Sequence, residues 1–207
     1  MSKRAAAYVL DRMQVRGLSR AYVLGCRAPR VTVLSQQFRA FNLIWALFHE
    51  GRLKPGDRVG VVGGGIGGLT AAAAAMLMGC SVVLAEEHQR LMHVQRRNTT
   101  RLLHPNIYEW PAPGAEVSST RFPCMNWEAD YAGQVVARLD EEWEAVAKRH
   151  HPEVHPDTRV TAVRSAGADG HLVLRKGDDW MSDPCDAVVV AVGFGIEPPV
   201  PGLDLDS

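Results

Sequence analysis

An α/β fold with a parallel central sheet, a glycine-rich βαβ unit and a small β-meander, preceded by an N-terminal helical arm, is predicted by three features of this 207-residue sequence. An unbroken apolar run from Val59 to Val62 meets five glycines within Gly63 to Gly68 and passes into an alanine-rich segment. A second apolar run, Ser81 to Ala85, ends on Glu86 and Glu87, and a third, "DAVVVAV" from Asp186 to Val192, precedes Gly193. Runs that are apolar without alternation belong to strands buried on both faces, which is the environment of a parallel sheet.

The elements follow in chain order. Residues 4 to 16 form a basic amphipathic helix stopped by Gly17. Ser35 caps a second helix whose Phe38, Phe41, Trp45 and Phe48 recur at three or four, with Gly51 as its C-terminal stop. "LKPGDR" is a turn that launches the strand at Val59. The helix after the glycines extends from about Ile66 to Met78. His88 to Met125 shows no sustained periodicity, and an irregular stretch of that length in a compact domain is usually functional. Asn126 serves as N-cap, with Glu128 and Asp130 in the first turn, to a helix whose Val135, Val136, Leu139, Trp143 and Val146 face the sheet. "RVTAVR" from Arg159 and "HLVLR" from His171 are strands joined by the Gly167 to Gly170 turn. These boundaries give a helical arm over 1–54 and an α/β domain over 55–207.

Lys plus Arg and Asp plus Glu balance at 23 each, so no overall field favours nucleic acid or an anionic membrane. The excess of Arg and Lys in the first thirty residues, opposed only by Asp11, reads as a solvated basic arm, with an organelle transit peptide as the alternative. No apolar run approaches the length of a spanning helix, so a soluble, cytoplasmic protein is expected. Cys26, Cys80, Cys124 and Cys185 lack metal-ligand or redox-pair spacing and read as reduced packing residues. His150, His151 and His155 around Pro152 have no acidic or cysteine partner at established spacing, and no metal is expected.

Gly63, Gly65 and Gly68 fit G-x-G-x-x-G directly after a strand and at the opening of a helix, the context that makes this weak pattern meaningful. The first glycine allows the tight turn, the second lets backbone approach a pyrophosphate, and the third brings helix and strand close. The N–H groups of Gly64, Gly65, Ile66, Gly67 and Gly68 then face the phosphates, aided by the helix dipole. Glu86, about twenty residues on, is placed to accept from ribose hydroxyls, with Glu87 beside it, and would repel a 2′-phosphate.

With this βαβ unit, the long insert, the amphipathic helix, the meander and the last apolar strand, the chain resembles the FAD-binding domain of the FAD/NAD(P)-dependent oxidoreductase superfamily, of glutathione-reductase and amine-oxidase type. The resemblance spans roughly residues 57 to 202. That family follows its second strand with an acid and R-L-G-G. Here the acid and Arg90-Leu91 match, whereas Met92 and His93 stand at the glycine pair, which normally lets backbone pass close to the FAD phosphates and ribityl chain. Arg96 or Arg97 is an alternative phosphate contact. The family's A-T-G appears as Ala191-Val192-Gly193, and the resemblance implies that the backbone near Val160 meets the adenine.

The resemblance implies FAD, with NAD as the alternative, and flavin-mediated redox of a small organic substrate with NAD(P)H or oxygen. An NAD-binding dehydrogenase-like domain and a non-catalytic nucleotide-binding module remain open. His104, Tyr108 and Trp110 are candidates for a flavin face or substrate pocket, or are loop-packing residues; no catalytic residue is assigned. The Pro-rich "EPPVPGLDLDS" reads as an exit into a following segment, so a completing domain or partner chain is expected.

Overall fold

The computed structural model describes residues 3–25, 31–96, 100–166, 171–176, 179–180 and 184–193. In order they form α1 (Lys3–Met13), β1 (Ala21–Val23), α2 (Val33–His49), β2 (Arg58–Val62), α3 (Ile66–Leu77), β3 (Ser81–Ala85), α4 (His93–Arg96), β4 (Leu102–Leu103), β5 (Asp130–Tyr131), α5 (Ala132–His150), β6 (Glu153–His155), β7 (Val160–Ala166), β8 (His171–Lys176), β9 (Asp179–Trp180) and β10 (Ala187–Val190). Cys26, Arg97 and the Gly167 to Gly170 turn lie outside the described residues.

Five strands pair in the order β1-β10-β2-β3-β6, every pair parallel. The strand period of two sorts their side chains onto two faces. Val59, Val61, Val82, Leu84, Ala187 and Val189 join the core formed with α1, α2, α3 and α5. Val62, Val83, Ala85, Val188 and Val190 point the other way and pack with Val160 and Val163 of β7, the first strand of the β7-β8-β9 antiparallel meander. Both faces are therefore covered, which is why these strands carry no polar alternation. The predicted class, a parallel Rossmann-like sheet with a meander, is the observed one.

The N-terminal third differs from the expected arm. β1 adds to the edge of the sheet with Ala21 opposite Val188 and Val23 opposite Val190, and Tyr22 is 1% exposed. Three residues are too few to display a period, which is why this strand is missing from the sequence reading. The helix α2 packs on α3. Its N-cap is Thr32, not Ser35: Thr32 Oγ1 accepts from Ser35 N–H at 3.0 Å while Ser35 Oγ accepts from Thr32 N–H at 2.9 Å. The buried face of α2 is Ala40, Leu43, Ile44 and Leu47, not the aromatic stripe; Phe38 stays 48% exposed and meets Phe122 edge-on. Gly51 does take the left-handed conformation of a helix stop, with φ 65°.

The long helix α5 starts at Ala132, five residues later than an N-cap at Asn126 implies. Asn126 instead ties its own loop, its Oδ1 accepting from Phe122 N–H at 2.8 Å and from the Thr120 hydroxyl at 3.1 Å. Trp127, 2% exposed, leaves the helical path to enter the core, where its indole N–H donates to Gln37 Oε1 at 2.8 Å. The stripe Val135, Val136, Leu139 and Trp143 is buried as expected.

Candidate functional site

The C-terminal ends of all five parallel strands lie along one edge, and the direction of strand addition reverses between β2 and β10. In open α/β sheets the ligand crevice lies at that reversal. The glycine turn follows β2 and Ala191-Val192-Gly193 follows β10, so the two segments face each other there; Ala191 N–H donates to Val62 C=O at 2.7 Å.

The glycines of the turn differ in what a side chain would meet. Gly63 sits at φ 101°, and a Cβ there would approach Ala191 O to 2.6 Å. A Cβ on Gly64 would come within 2.5 Å of Leu91 Cδ2 and 3.1 Å of Glu86 Oε2. On Gly68 it would strike the Gly63 carbonyl. Gly67 has only ordinary contacts, Leu24 Cδ1 at 3.6 Å and Gln36 at 3.8 Å. Gly65 differs from all of these: it has φ −76°, and nothing lies within 4 Å of where its Cβ would be. Packing explains the other three tight glycines, whereas Gly65 borders open space at the N-terminus of α3, which it caps without any side-chain hydrogen bond. Ile66, 5% exposed, anchors the first turn in the core.

Glu86 is 8% exposed at the end of β3. Its Oε2 accepts from Gly64 N–H at 2.5 Å, and its Oε1 accepts from the backbone N–H of His88 at 2.9 Å and from His88 Nδ1 at 2.8 Å. The β6–β7 connection closes on the same turn, because Glu86 N–H donates to His155 O at 2.9 Å and Thr158 N–H to Glu86 O at 2.7 Å. Glu87 is exposed and pairs with Arg159 at 3.7 Å, next to Val160, itself 8% exposed at the start of β7.

At the first position of the missing glycine pair, Met92 is fully buried with φ 53°. The backbone thus takes the left-handed course that glycine adopts without cost, and Met92 N–H donates to Gly64 O at 2.9 Å. Arg90 is exposed. Arg96 is not free for a phosphate: its Nε donates to Leu91 O at 2.9 Å and its guanidinium pairs with both oxygens of Asp140, one at 2.6 Å. Gly193, at φ 78°, closes on Gly25 after β1, its carbonyl 3.6 Å from the position of a Gly25 Cβ.

The structure therefore brings together Gly63, Gly64, Gly68, Glu86 and Ala191 by direct contact, with Gly65, Ile66 and Gly67 in the same turn. His104, Tyr108 and Trp110 belong to turns beyond α4. The His104 ring accepts from Asn106 N–H at 3.1 Å, and Tyr108 and Trp110 are largely exposed. His155 pairs with Glu153 at 2.7 Å, and His151 ends α5. Among the described residues no cluster of His, Cys, Asp or Glu suits a metal ion, and no helix is long and apolar enough to cross a membrane. The sequence reading omitted His88, Leu24 and Gln36 from this edge; only His88, two residues past the acid, carried a local signal.

A parallel sheet with a glycine turn at its reversal point and an acid closing the second strand is the arrangement of a Rossmann-type fold. Residues 58–157, just under half of the chain, match the family model described as FAD dependent oxidoreductase. No curated protein matches the chain. Among solved structures, the chain is similar to the bacillithiol disulfide reductase Bdr from Staphylococcus aureus, at 16% identity and TM-score 0.45 over 68% of this chain and 39% of that one. It is also similar to OTEMO in complex with FAD and NADP, at 18% identity and TM-score 0.47 over 68% and 26%. A third is the water-forming NADH oxidase from Lactobacillus brevis bound to NADH, at 13% identity and TM-score 0.46 over 87% and 27%. The chain thus spans well under half the length of each.

Proposed function

We propose that this chain is the FAD-binding part of an oxidoreductase in which electrons pass through the flavin between a small organic substrate and NAD(P)H or oxygen. The observation that carries the reading is Gly65: a cradle that a Cβ would fill, beside three glycines that are small for packing reasons. The family match over 58–157 supports FAD as the nucleotide.

In this reading the backbone of Gly63 to Gly68, including Ile66, holds the pyrophosphate at the N-terminus of α3, where unsatisfied N–H groups and the helix dipole favour an anion. Glu86 accepts from the ribose through the acceptor site that Gly64 leaves on Oε2, since a carboxylate offers about four such sites in all. Glu87, Arg90 and the backbone at Val160 line the adenosine side, and Ala191 and Gly193 border the cofactor where β10 ends. FAD bound there supplies the redox chemistry, while the protein orients it and excludes competing reactions. Residues 1–54 and 55–207 remain our division of the chain, with the first part contributing the edge of the sheet. A cytoplasmic location is part of the proposal, supported by buried free thiols at Cys80 and Cys124.

NAD would use the same glycines and the same acid, so the two nucleotides are compared directly. Calorimetric titration of the full chain with FAD and with NAD, together with the visible spectrum after removal of free FAD, should give tight FAD binding with flavin bands retained. Binding of NAD alone would replace the reading with a dehydrogenase-like domain.

A further inference from the structure

Glu86 is held in a closed circuit of contacts. Its Oε2 accepts from Gly64 N–H, and its Oε1 accepts twice from His88, through the backbone N–H and through Nδ1 at 2.8 Å. An imidazole nitrogen at that distance from a carboxylate oxygen carries the hydrogen, because the carboxylate has none to give. The His88 ring lies flat on the ring of His93, with centroids 3.9 Å apart and planes 9° apart. His93 directly follows Met92, whose N–H returns to Gly64 O at 2.9 Å. Gly64 is thereby gripped at both its N–H and its C=O, and the two stacked imidazoles close the loop between the grips.

We propose that His88, supported by its stack on His93, is a positioning residue that aims the Glu86 carboxylate at the nucleotide's ribose, so that nucleotide affinity depends on the His88 ring donor. This rests on the reading of the glycine turn as an FAD site. With both Oε1 acceptor sites filled by His88, Glu86 can offer the ribose only Oε2, which fixes the direction of the contact. Removing the His88 ring opens one Oε1 acceptor site and leaves the carboxylate held by the two backbone N–H groups alone.

The groups facing the pair are few. Glu86 and Glu87 come from its own turn, with His88 Nε2 4.0 Å from Glu87 Oε1. Arg159 reaches Glu87 from the start of the meander, and Asp157 N–H donates to His88 O at 3.1 Å.

The test is FAD titration of the full chain and three variants, with thermal unfolding of each. His88→Ala should bind about tenfold more weakly than the parent, the effect of losing one hydrogen bond to a charged group. His88→Asn keeps a donor where Nδ1 stood and should restore binding to within about threefold of the parent, since the bond is retained. His93→Phe should keep the stack and bind like the parent. Parent-like binding by a folded His88→Ala, or binding by a folded His88→Asn as weak as that of His88→Ala, would each overturn the assignment. Should His88→Ala not fold, the other two variants decide. A parent that binds no FAD defeats the underlying reading of the turn, a result distinct from parent binding without the predicted variant effects.

Discussion

Gly65 and Gly68 are three residues apart in one turn and answer to different constraints. A side chain at Gly68 collides with the Gly63 carbonyl, whereas one at Gly65 enters open space at an ordinary φ. Gly68→Ala should therefore lower the unfolding free energy by about 3 kcal/mol or more, the scale of a forced backbone displacement, read by denaturant unfolding. The motif was legible in sequence, but this division of labour among its glycines was not, because it depends on Ala191 arriving from the far end of the chain. Met92 is the converse case: its identity breaks the glycine pair of the family that the sequence resembles, yet burial holds its backbone in the glycine-like region. Two cysteines give a pH prediction. Burial, with Asp57 and then Asp186 adding to it, pushes the Cys80 thiol up to about 11; burial and then Glu142 do the same at Cys124. Both folded values exceed the ordinary 9.0, so their contribution to stability is complete below pH 9.0 and is lost as pH rises toward about 11. Thiol-reagent labelling at neutral pH should be slow for both until the protein unfolds; fast labelling of the native chain would contradict it.

Among the elements, α2 and the loop before α5 show how sequence patterns and packing diverge. Phe38, Phe41, Trp45 and Phe48 recur at helical spacing, but smaller residues on the neighbouring face approach α3, whose Ala71 to Ala75 are buried and allow close contact. Alanine-rich helices accept Leu43 and Leu47 more readily than rings, a preference no single-helix pattern displays. Asn126 has the chemistry of a cap and uses it on its own loop, because Trp127 needs to enter the core at that point. Gln37, fully buried, joins these two elements: its Nε2 donates to Met125 O at 2.7 Å and its Oε1 receives the Trp127 indole N–H. Gln37→Leu would leave a buried carbonyl and a buried N–H unpaired, and should cost about 2–4 kcal/mol, measured by denaturant unfolding. A loss below about 0.5 kcal/mol, the size of an indifferent substitution, would show that the bridge is not structural.

For the whole molecule, the sheet unites segments from both ends of the described chain, with β1 paired to β10 and the residues after each, Gly25 and Gly193, side by side. The βαβ centre was legible because its strands are apolar on both faces and its turn has chemistry of its own. The edge was not, because β1 has three residues and acquires its partner only through the fold. Ala6, Leu10, Leu43, Ile44 and Leu47 share one core with Val59 and Leu84. Removing residues 1–54 should therefore abolish cooperative thermal unfolding rather than trim an arm; a truncated chain with a sharp, unchanged transition would contradict that. The central claim is that the space beside Gly65 holds the pyrophosphate of FAD. Its most direct measurement is FAD titration of the full chain beside Gly65→Val, with thermal unfolding of both. The account predicts FAD binding by the parent, none by the variant, and a stability change of no more than about 1 kcal/mol, the cost of a poor N-cap. Equal FAD binding by a folded Gly65→Val would contradict it.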